Sequence, residues 1–563
     1  MKKFKILVLI LCFCQVLSAQ TSVIKDVYKI ISEKGEAKIL IPKKEVKDLN
    51  LLAKTISLDY PKNDSWLGYV NQKQYNKFLL LNIKHSLYIE DNSTKALTMA
   101  TTMAQMSSWD RYPTYRVYDS LMRSFALNYP NICKLDTIGF SVNNRLILAL
   151  RISSNPYSDI DKPKFCYSST MHGDELTGYV LLLRLADWLL SNYSSNQRVM
   201  DIINNTQIFI NPLANPDGTY GFNNNNVSYA TRYNANFVDL NRNFPSLTSG
   251  SNADGESLQK ETLAFMSYAD SNEFSISANL HGGAEVLNYP YDSYKSSSVS
   301  HSDENWFINV CTGFINSIPS SAPSSFFRDI THSGYTNGGN WYMIDGSRQD
   351  YHTYFKYGRE ITFEVSSQKS LSTTELNNYW NYLNLGLIAF IENCQKGLQG
   401  YVRDSATNEP LRAKIWVENH DSFHSEVYSK ASSGYYYRPI LDGNYSITYS
   451  ANGYFPKTID NLSISSMTNQ DVYLVKSGIG INDVGNANEG LLIYPNPAKD
   501  IISVRLNKSN LKDDKSYKIY NSLGICLLSD FVDNNIMNID ISNLNKGLYF
   551  IEIGNKVLKF IKD

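Results

Sequence analysis

One stretch constrains the fold of this chain more than any other. The apolar run Lys164-Phe165-Cys166-Tyr167 leads into Ser168-Ser169-Thr170-Met171-His172-Gly173-Asp174-Glu175 and then into a long apolar helical segment. A strand that breaks at a glycine and opens into a helix is the building unit of an α/β sheet, where ligands bind beyond the carboxyl ends of strands. His172 and Glu175 sit at that break. A neutral imidazole and a carboxylate three positions apart can reach one cation. The mixture suits Zn2+, which as a catalytic ion takes three protein ligands and leaves one position open. The pair alone is equally compatible with a solvated helix start, so a third ligand decides the matter.

The surrounding sequence alternates in the way such a sheet requires. Thr114 can cap a helix whose apolar positions Tyr118, Leu121, Met122 and Phe125 follow the 3.6 period. Strand-like runs follow at 145–152, 165–168, 207–211, 274–280 and 360–365, with helical patterns after Glu175, around 258–269, and along Trp380, Leu383, Leu387 and Ile391. This predicts an α/β domain with a largely parallel sheet sandwiched by helices. Four strand ends carry polar chemistry: His172 with Glu175, Asn215-Pro216-Asp217-Gly218, His281-Gly282-Gly283, and Glu364 on the polar face of an alternating strand. Of the eight histidines, only His281 shares with His172 a place directly ending a core run, which makes it the best third ligand. A satisfied core histidine is the alternative reading. His301, His332 and His352 fall in Ser-, Gly- or Tyr-rich stretches and read as solvated.

Four motifs in order, His172-Gly173-Asp174-Glu175, Asp239 to Pro245, Ala278 to Gly283 with Asn288 to Asp292, and Ile361-Thr362-Phe363-Glu364, resemble the zinc carboxypeptidase family, most closely its regulatory branch of carboxypeptidases N, E and D. The resemblance spans roughly 109–397 and implies a mixed sheet between helices. It implies one Zn2+ held by His172, Glu175 and His281 with a water in the fourth place, Glu364 as general base, and Arg232 steadying the oxyanion. It further implies Asn241 and Arg242 on the substrate's terminal carboxylate and Tyr342 closing over the substrate. Asp292 and Gln349 fall at the pocket for the terminal side chain, where an aspartate in this branch goes with Lys or Arg. Tyr351-His352-Thr353-Tyr354 departs from the usual short aromatic run, which leaves the pocket wall open.

The rest of the chain reads as flanking modules. Met1 to Gln20 has the charged start, apolar run of about twelve residues and small-residue end of a secretory signal, cleaved near Ala19; that run is too short to span a bilayer. Residues 20–108 read as a small Lys-rich α+β module, a pro-segment or folding helper by its position, with a mere spacer as the alternative. The catalytic domain covers 109–397. Short alternating strands at 398–476 form a β-sandwich similar to the transthyretin-like domain of the same branch. A linker at 477–488 precedes 489–563, whose Tyr494-Pro495-Asn496-Pro497 opening resembles the C-terminal sorting domain of the type IX secretion machinery of Gram-negative bacteria. The location implied is the medium or the outer cell surface, reached through the periplasm. With Lys+Arg 53 against Asp+Glu 54, no field favours nucleic acid or an anionic membrane. Five cysteines remain once Cys12 and Cys14 leave with the signal, enough for two bridges at most and without metal-site spacing.

The expectation is a secreted metallocarboxypeptidase acting on peptides or proteins with a free C-terminus. A peptidase for cell-wall muropeptides on the same fold, or an inactive surface-binding protein, would use the same scaffold.

Overall fold

In the computed structural model the chain first builds a four-stranded antiparallel sheet from β1 (Ala37–Pro42), β2 (Ser57–Leu58), β3 (Ser65–Val70) and β4 (Ser86–Tyr88), in the order β2-β3-β1-β4. Alternating burial along β1 fits a sheet with one face on a core. Two helices cover that face, Leu49–Thr55 capped by Asp48 and Gln72–Leu80 opened by an Asn71/Gln74 capping box. A short parallel pair, β5 (Met99–Ala100) and β6 (Tyr112–Pro113), leads into the main domain.

The main sheet has eight strands: β7 (Cys133–Phe140), β8 (Leu146–Ile152), β9 (Lys164–Ser169), β10 (Gln207–Asn211), β11 (Ile276–His281), β12 (Ala284–Tyr289), β13 (Tyr335–Asn337) and β14 (Arg359–Ser366). Their order is β13-β12-β14-β11-β9-β10-β8-β7. The four central strands β14, β11, β9 and β10 are mutually parallel, with antiparallel neighbours joining on both flanks. Every residue of β9, β10 and β11 is buried, as expected for parallel strands covered by helices on both faces. Thr114 caps the helix Tyr115–Asn128 as its sequence predicts, through a bond from Val117 N. The apolar helix Thr177–Asn192 and the closing helix Thr373–Glu392 pack on the sheet, where Tyr167 Oη donates to Leu387 O at 2.9 Å.

Two further sheets follow. One holds β15 (Gly397–Asp404), β18 (Tyr435–Arg438), β21 (Met467–Asn469) and β22 (Val472–Leu474); the other holds β16 (Ala413–Val417), β17 (Val427–Tyr428), β19 (Gly443–Ala451) and β20 (Lys457–Ile464). They enclose their own core, centred on Val402, Ile415, Ile447 and Val472. A buried ionic cluster ties this sandwich to the main domain: Arg438 donates to Asp303 at 2.7 and 2.9 Å and to Asp421 at 2.7 Å, while Arg359, the first residue of β14, donates to Asp303 at 2.8 Å.

The described residues are 21–59, 63–89, 97–250, 253–477, 491–506, 516–521, 524–531, 536–553 and 556–563. They divide into two units, Met1–Lys476 and Ser477–Asp563. The expected signal and nearly all of the expected linker lie outside them. The second unit pairs β23 (Leu491–Tyr494), β24 (Ile501–Leu506) and β27 (Ile536–Asp540) in one sheet. Its other sheet is β26 (Cys526–Phe531), β25 (Ser516–Asn521), β28 (Gly547–Ile553) and β29 (Lys556–Lys562), and the two share one apolar core. Among the described residues all five cysteines are free thiols.

Candidate active site

β9 ends at Ser169, and Thr170 turns the chain with φ 63°. Gly173 lies so close to the Gly218 backbone that a Cβ there would sit 2.4 Å from its carbonyl carbon, so only glycine lets this turn pack. The turn delivers His172 and Glu175 into the sheet's carboxyl edge. His281 arrives as the last residue of β11, directly opposite Glu364 on β14.

The three candidate ligands meet. His172 Nδ1 lies 2.9 Å from Glu175 Oε1, His281 Nδ1 lies 2.8 Å from Glu175 Oε2, and the two ring nitrogens are 3.0 Å apart. Ligands about 2.0–2.1 Å from a tetrahedral zinc lie roughly 3.3 Å from one another, so this donor set fits the ion after a shift of a few tenths of an ångström. Burial alone would raise the Glu175 carboxyl, but His172, Lys369 and His281 hold it well below the usual range. Burial holds the His281 ring below its ordinary value, in the neutral form that ligates metal. The far ring nitrogens are also held: His172 Nε2 is 3.1 Å from Asp239 Oδ1, and Asn279 Nδ2 is 2.7 Å from His281 Nε2, while the Asn279 oxygen accepts from Ser168 Oγ. Polar partners in those places fix the ring orientation.

Asp239 is the hub of the surrounding polar network. Its carboxylate accepts from Asn241 N at 2.9 Å, from Arg232 Nε at 3.0 Å and from Ser57 Oγ at 2.6 Å. Burial opposes its ionisation, yet Arg232, His172 and Arg242 keep it well below the usual range. Asn241 Oδ1 accepts from Arg348 N at 3.0 Å, which turns its amide nitrogen away from that bond. Arg242 donates through Nη1 to Asn241 O at 2.9 Å, but among the described residues its buried Nε and Nη2 have no partner.

One cavity of about 30 Å3 touches the triad, Arg232, Asn241, Arg242, Asp292, Tyr342 and Glu364. Burial, then Glu175 and Asp59, push the Glu364 carboxyl well above its ordinary value, as a proton-carrying group in this place requires. Gln349 is buried just behind the cavity. Its Oε1 accepts from Thr362 N at 2.7 Å, which directs Nε2 to Asp292 Oδ1 and Asn288 Oδ1, both at 3.0 Å. Burial pushes Asp292 up to about 6. Asp350, beside it, accepts from Asp292 N and Ser293 N and is pushed up to about 8 by burial and by Asp292.

All ten residues singled out by sequence therefore converge on one place. The Asn215 to Gly218 segment does not join them: Asn215 caps a short helix and Asp217 pairs with Arg145 at 2.5 Å. His301 and His352 are corrected from solvated to buried. His301 packs on Tyr291 and Phe307 and accepts from Asp303 N, and His352 lies against Ser277 beneath the sheet. Sequence reasoning missed Asp239, Asn279 and Lys369. Asp239 and Asn279 stood inside recognised motifs. Lys369, 3.1 Å from Glu175 Oε1, carries no local signal at all.

Comparison with known proteins agrees with this geometry. Residues 118–384 match the family described as zinc carboxypeptidase, and 492–563 match the secretion system C-terminal sorting domain. Carboxypeptidase D of Homo sapiens is 32% identical over 402 residues, covering 67% of this chain and 28% of its own. Carboxypeptidase M of Mus musculus is 33% identical over 354 residues, covering 61% of this chain and 79% of its own. A crystal structure of thrombin activatable fibrinolysis inhibitor aligns with 64% of this chain and 99% of its own at 16% identity and a TM-score of 0.48. The chain thus spans little more than a quarter of the carboxypeptidase D relative, but most of carboxypeptidase M. With a family match over the domain that carries the site, the chain belongs to the zinc carboxypeptidase family.

Proposed function

We propose that this chain is an exported zinc carboxypeptidase that removes C-terminal residues, Lys and Arg foremost, from peptides and proteins. The observation that carries the reading is Arg242: a buried guanidinium with two nitrogens unpartnered among the described residues, facing the same cavity as the His172, Glu175, His281 donor set and Glu364. A buried unpaired donor costs about 1–3 kcal/mol or more, so such a group is kept for a ligand; the planar fork matches a carboxylate. A terminal carboxylate bound there makes the reaction an exopeptidase one.

His172, Glu175 and His281 would hold the zinc, which when bound supplies Lewis acidity, lowering the pKa of a water and polarising a carbonyl. The remaining work falls to the chain. Arg242 and the Asn241 amide grip the terminal carboxylate. Arg232, fixed by Asp239, faces the carbonyl oxygen as negative charge develops on it. Glu364 takes a proton from water on its carboxylate and returns it to the leaving amine. Tyr342 closes the cavity, and Asp292, oriented by Gln349, pairs with a basic terminal side chain. The modules at 20–108 and 109–397, the transthyretin-like sandwich at 398–476 and the sorting unit at 489–563 complete the assignment. The sorting unit directs export through the type IX machinery to the medium or outer surface.

The decisive test compares zinc-loaded protein on one peptide with a free C-terminus and on its C-terminal amide. The free peptide should be preferred by at least about 10², the worth of a buried charged hydrogen bond. Arg242→Met should abolish the difference. Equal cleavage of both peptides would refute the exopeptidase reading.

A further inference from the structure

The two segments that carry Asp292 and Gln349 are held from behind by the β-sandwich. Asp292 follows β12 and Gln349 precedes β14, and the segments meet where Asp350 accepts from Asp292 N at 2.8 Å and from Ser293 N at 2.9 Å. The loop 421–425, between β16 and β17 of the sandwich, touches both. Tyr291, fully buried, donates from Oη to Phe423 O at 3.3 Å, and the two rings meet edge to face at 5.6 Å. From the other segment the Tyr354 ring packs 5.0 Å from Phe423 and 4.1 Å from His424, and Tyr357 stacks on His424 at 5.8 Å. Tyr291 rests on the loop while its neighbour Asp292 lines the cavity, so a shift of the ring reaches the carboxylate through one peptide unit.

The loop is both strained and locked. Phe423 and His424 are left-handed, with φ 48° and 64°, a region that side chains of this bulk rarely adopt. Two such residues in succession persist only where the surroundings over-determine them, and strain of this kind collects at functional sites. The lock is Asp421. Its Oδ2 accepts from Val417 N at 2.8 Å, and its Oδ1 accepts from Ser425 Oγ at 3.1 Å and from Arg438 at 2.7 Å. Arg438 also holds Asp303 of the main domain, so the base of the loop is fixed to the body whose pocket its tip supports.

We propose that Phe423 and His424 form a positioning wedge: through this one loop the sandwich sets the spacing of the Asp292 and Gln349 segments, and with it how strongly the pocket selects the terminal side chain. The proposal rests on the carboxypeptidase reading for the reaction and on Asp292 for the preference. It gives the sandwich a part in choosing substrate although the loop stays outside the wall of the 30 Å3 cavity.

The test uses the full chain loaded with zinc, together with Phe423→Ala, Phe423→Tyr and Ile447→Val. The last trims the sandwich core away from the loop and reports what loss of sandwich stability does by itself. Two readouts are followed: the ratio of kcat/KM for peptides ending in Arg and in Ala, and hydrogen exchange at the amides of Asp292 and Ser293, which needs no catalysis. Phe423→Ala should lower the ratio about tenfold, within the 10² that a displacement of about 1 Å can cost, while kcat on the Ala peptide is kept. Exchange at the two amides should quicken about tenfold as the segment opens locally. Phe423→Tyr, which keeps the ring, and Ile447→Val should match the native chain in both readouts. With a basic preference in the native chain, an unchanged ratio in Phe423→Ala would overturn the wedge. Unchanged exchange, or the same changes in Ile447→Val, would overturn it too and leave the loop a joint between domains. Faster exchange in Phe423→Ala alone, with no preference for Arg in any of the four proteins, would keep the wedge and overturn the basic-terminus reading instead.

Discussion

Replacing Asp292 by Asn should both erase a preference for basic terminal residues and remove a pH step from it. Asp292 is 2% exposed, and Gln349 Nε2 donates to it at 3.0 Å. Removing one member of a buried charged pair costs roughly 3–5 kcal/mol, or two to three and a half decades in binding. Because the Gln349 bond persists whatever occupies the pocket, the lower end applies, about 10² in the ratio of kcat/KM for peptides ending in Arg and Ala. The charge needed for that ratio is itself titratable. Burial pushes Asp292 up to about 6, and a raised carboxyl is ionised only above that value, so the preference is present above pH 6 and lost as pH falls through it. A group titrating at about 6 is roughly nine-tenths ionised at pH 7 and one-tenth at pH 5, so the ratio should drop about tenfold between them. Asp350 does not share this step, since burial and Asp292 push it up to about 8 and it keeps its proton between pH 5 and 7. The assay measures both peptides from pH 5 to 8 for the native chain and Asp292→Asn. A ratio independent of pH, a preference for Ala or Phe over Arg, or a basic preference surviving the substitution would refute the reasoning.

Three further outcomes are expected. His281→Ala should lose most of its zinc, checked by elemental analysis of dialysed protein, because two remaining ligands leave the ion undersupplied; full occupancy would disprove the ligand assignment. Glu364→Gln should keep zinc and lose about 10²–10⁴ in turnover, the usual worth of a positioned acid/base group, and near-normal turnover would exclude the role. Arg438→Met should destabilise the chain by about 3–5 kcal/mol in denaturant melts, because Asp303 and Asp421 are 2% and 6% exposed and would lose their shared cation; an unchanged midpoint would mean that water replaces the guanidinium.

The donor set was legible because strand ends are legible. His172, His281 and Glu364 each terminate or punctuate a run of apolar residues, and a parallel sheet brings such positions to one edge regardless of their separation in sequence. The strand over 207–211 matches its predicted span, whereas the run at 274–280 begins late, at Ile276, because Glu273 adopts a left-handed helix cap with φ 50° and Ser275 first bonds to Lys164 O. The helices Gln197–Asn205 and Glu304–Asn316 were not anticipated, since Ser- and Asn-rich flanks mask their apolar stripes. Burial of His301 and His352 is likewise invisible locally: polar neighbours in sequence point one way while aromatic rings from other elements close over them. Lys369 and Asp59 illustrate the same limit at the site. They meet across 310 residues (369 − 59 = 310), and nothing near either one announces the other.

The state of the cysteines sets how this protein can be handled and made. Four of the five thiols are buried, and for Cys133 and Cys166 burial pushes the pKa up to about 12, so roughly one in 10⁵ molecules carries the reactive thiolate at pH 7. Among the described residues of the Met1–Lys476 unit no thiol is bridged, so its described part should fold equally well in a reducing cytosol and in an oxidising periplasm. The exposed thiol, Cys526, lies in the other unit. Among the described residues Cys526 is the one exposed thiol, so a maleimide dye added to chain freed of residues 1–19 should mark that unit alone, giving a way to follow the fate of the tail separately from that of the first unit.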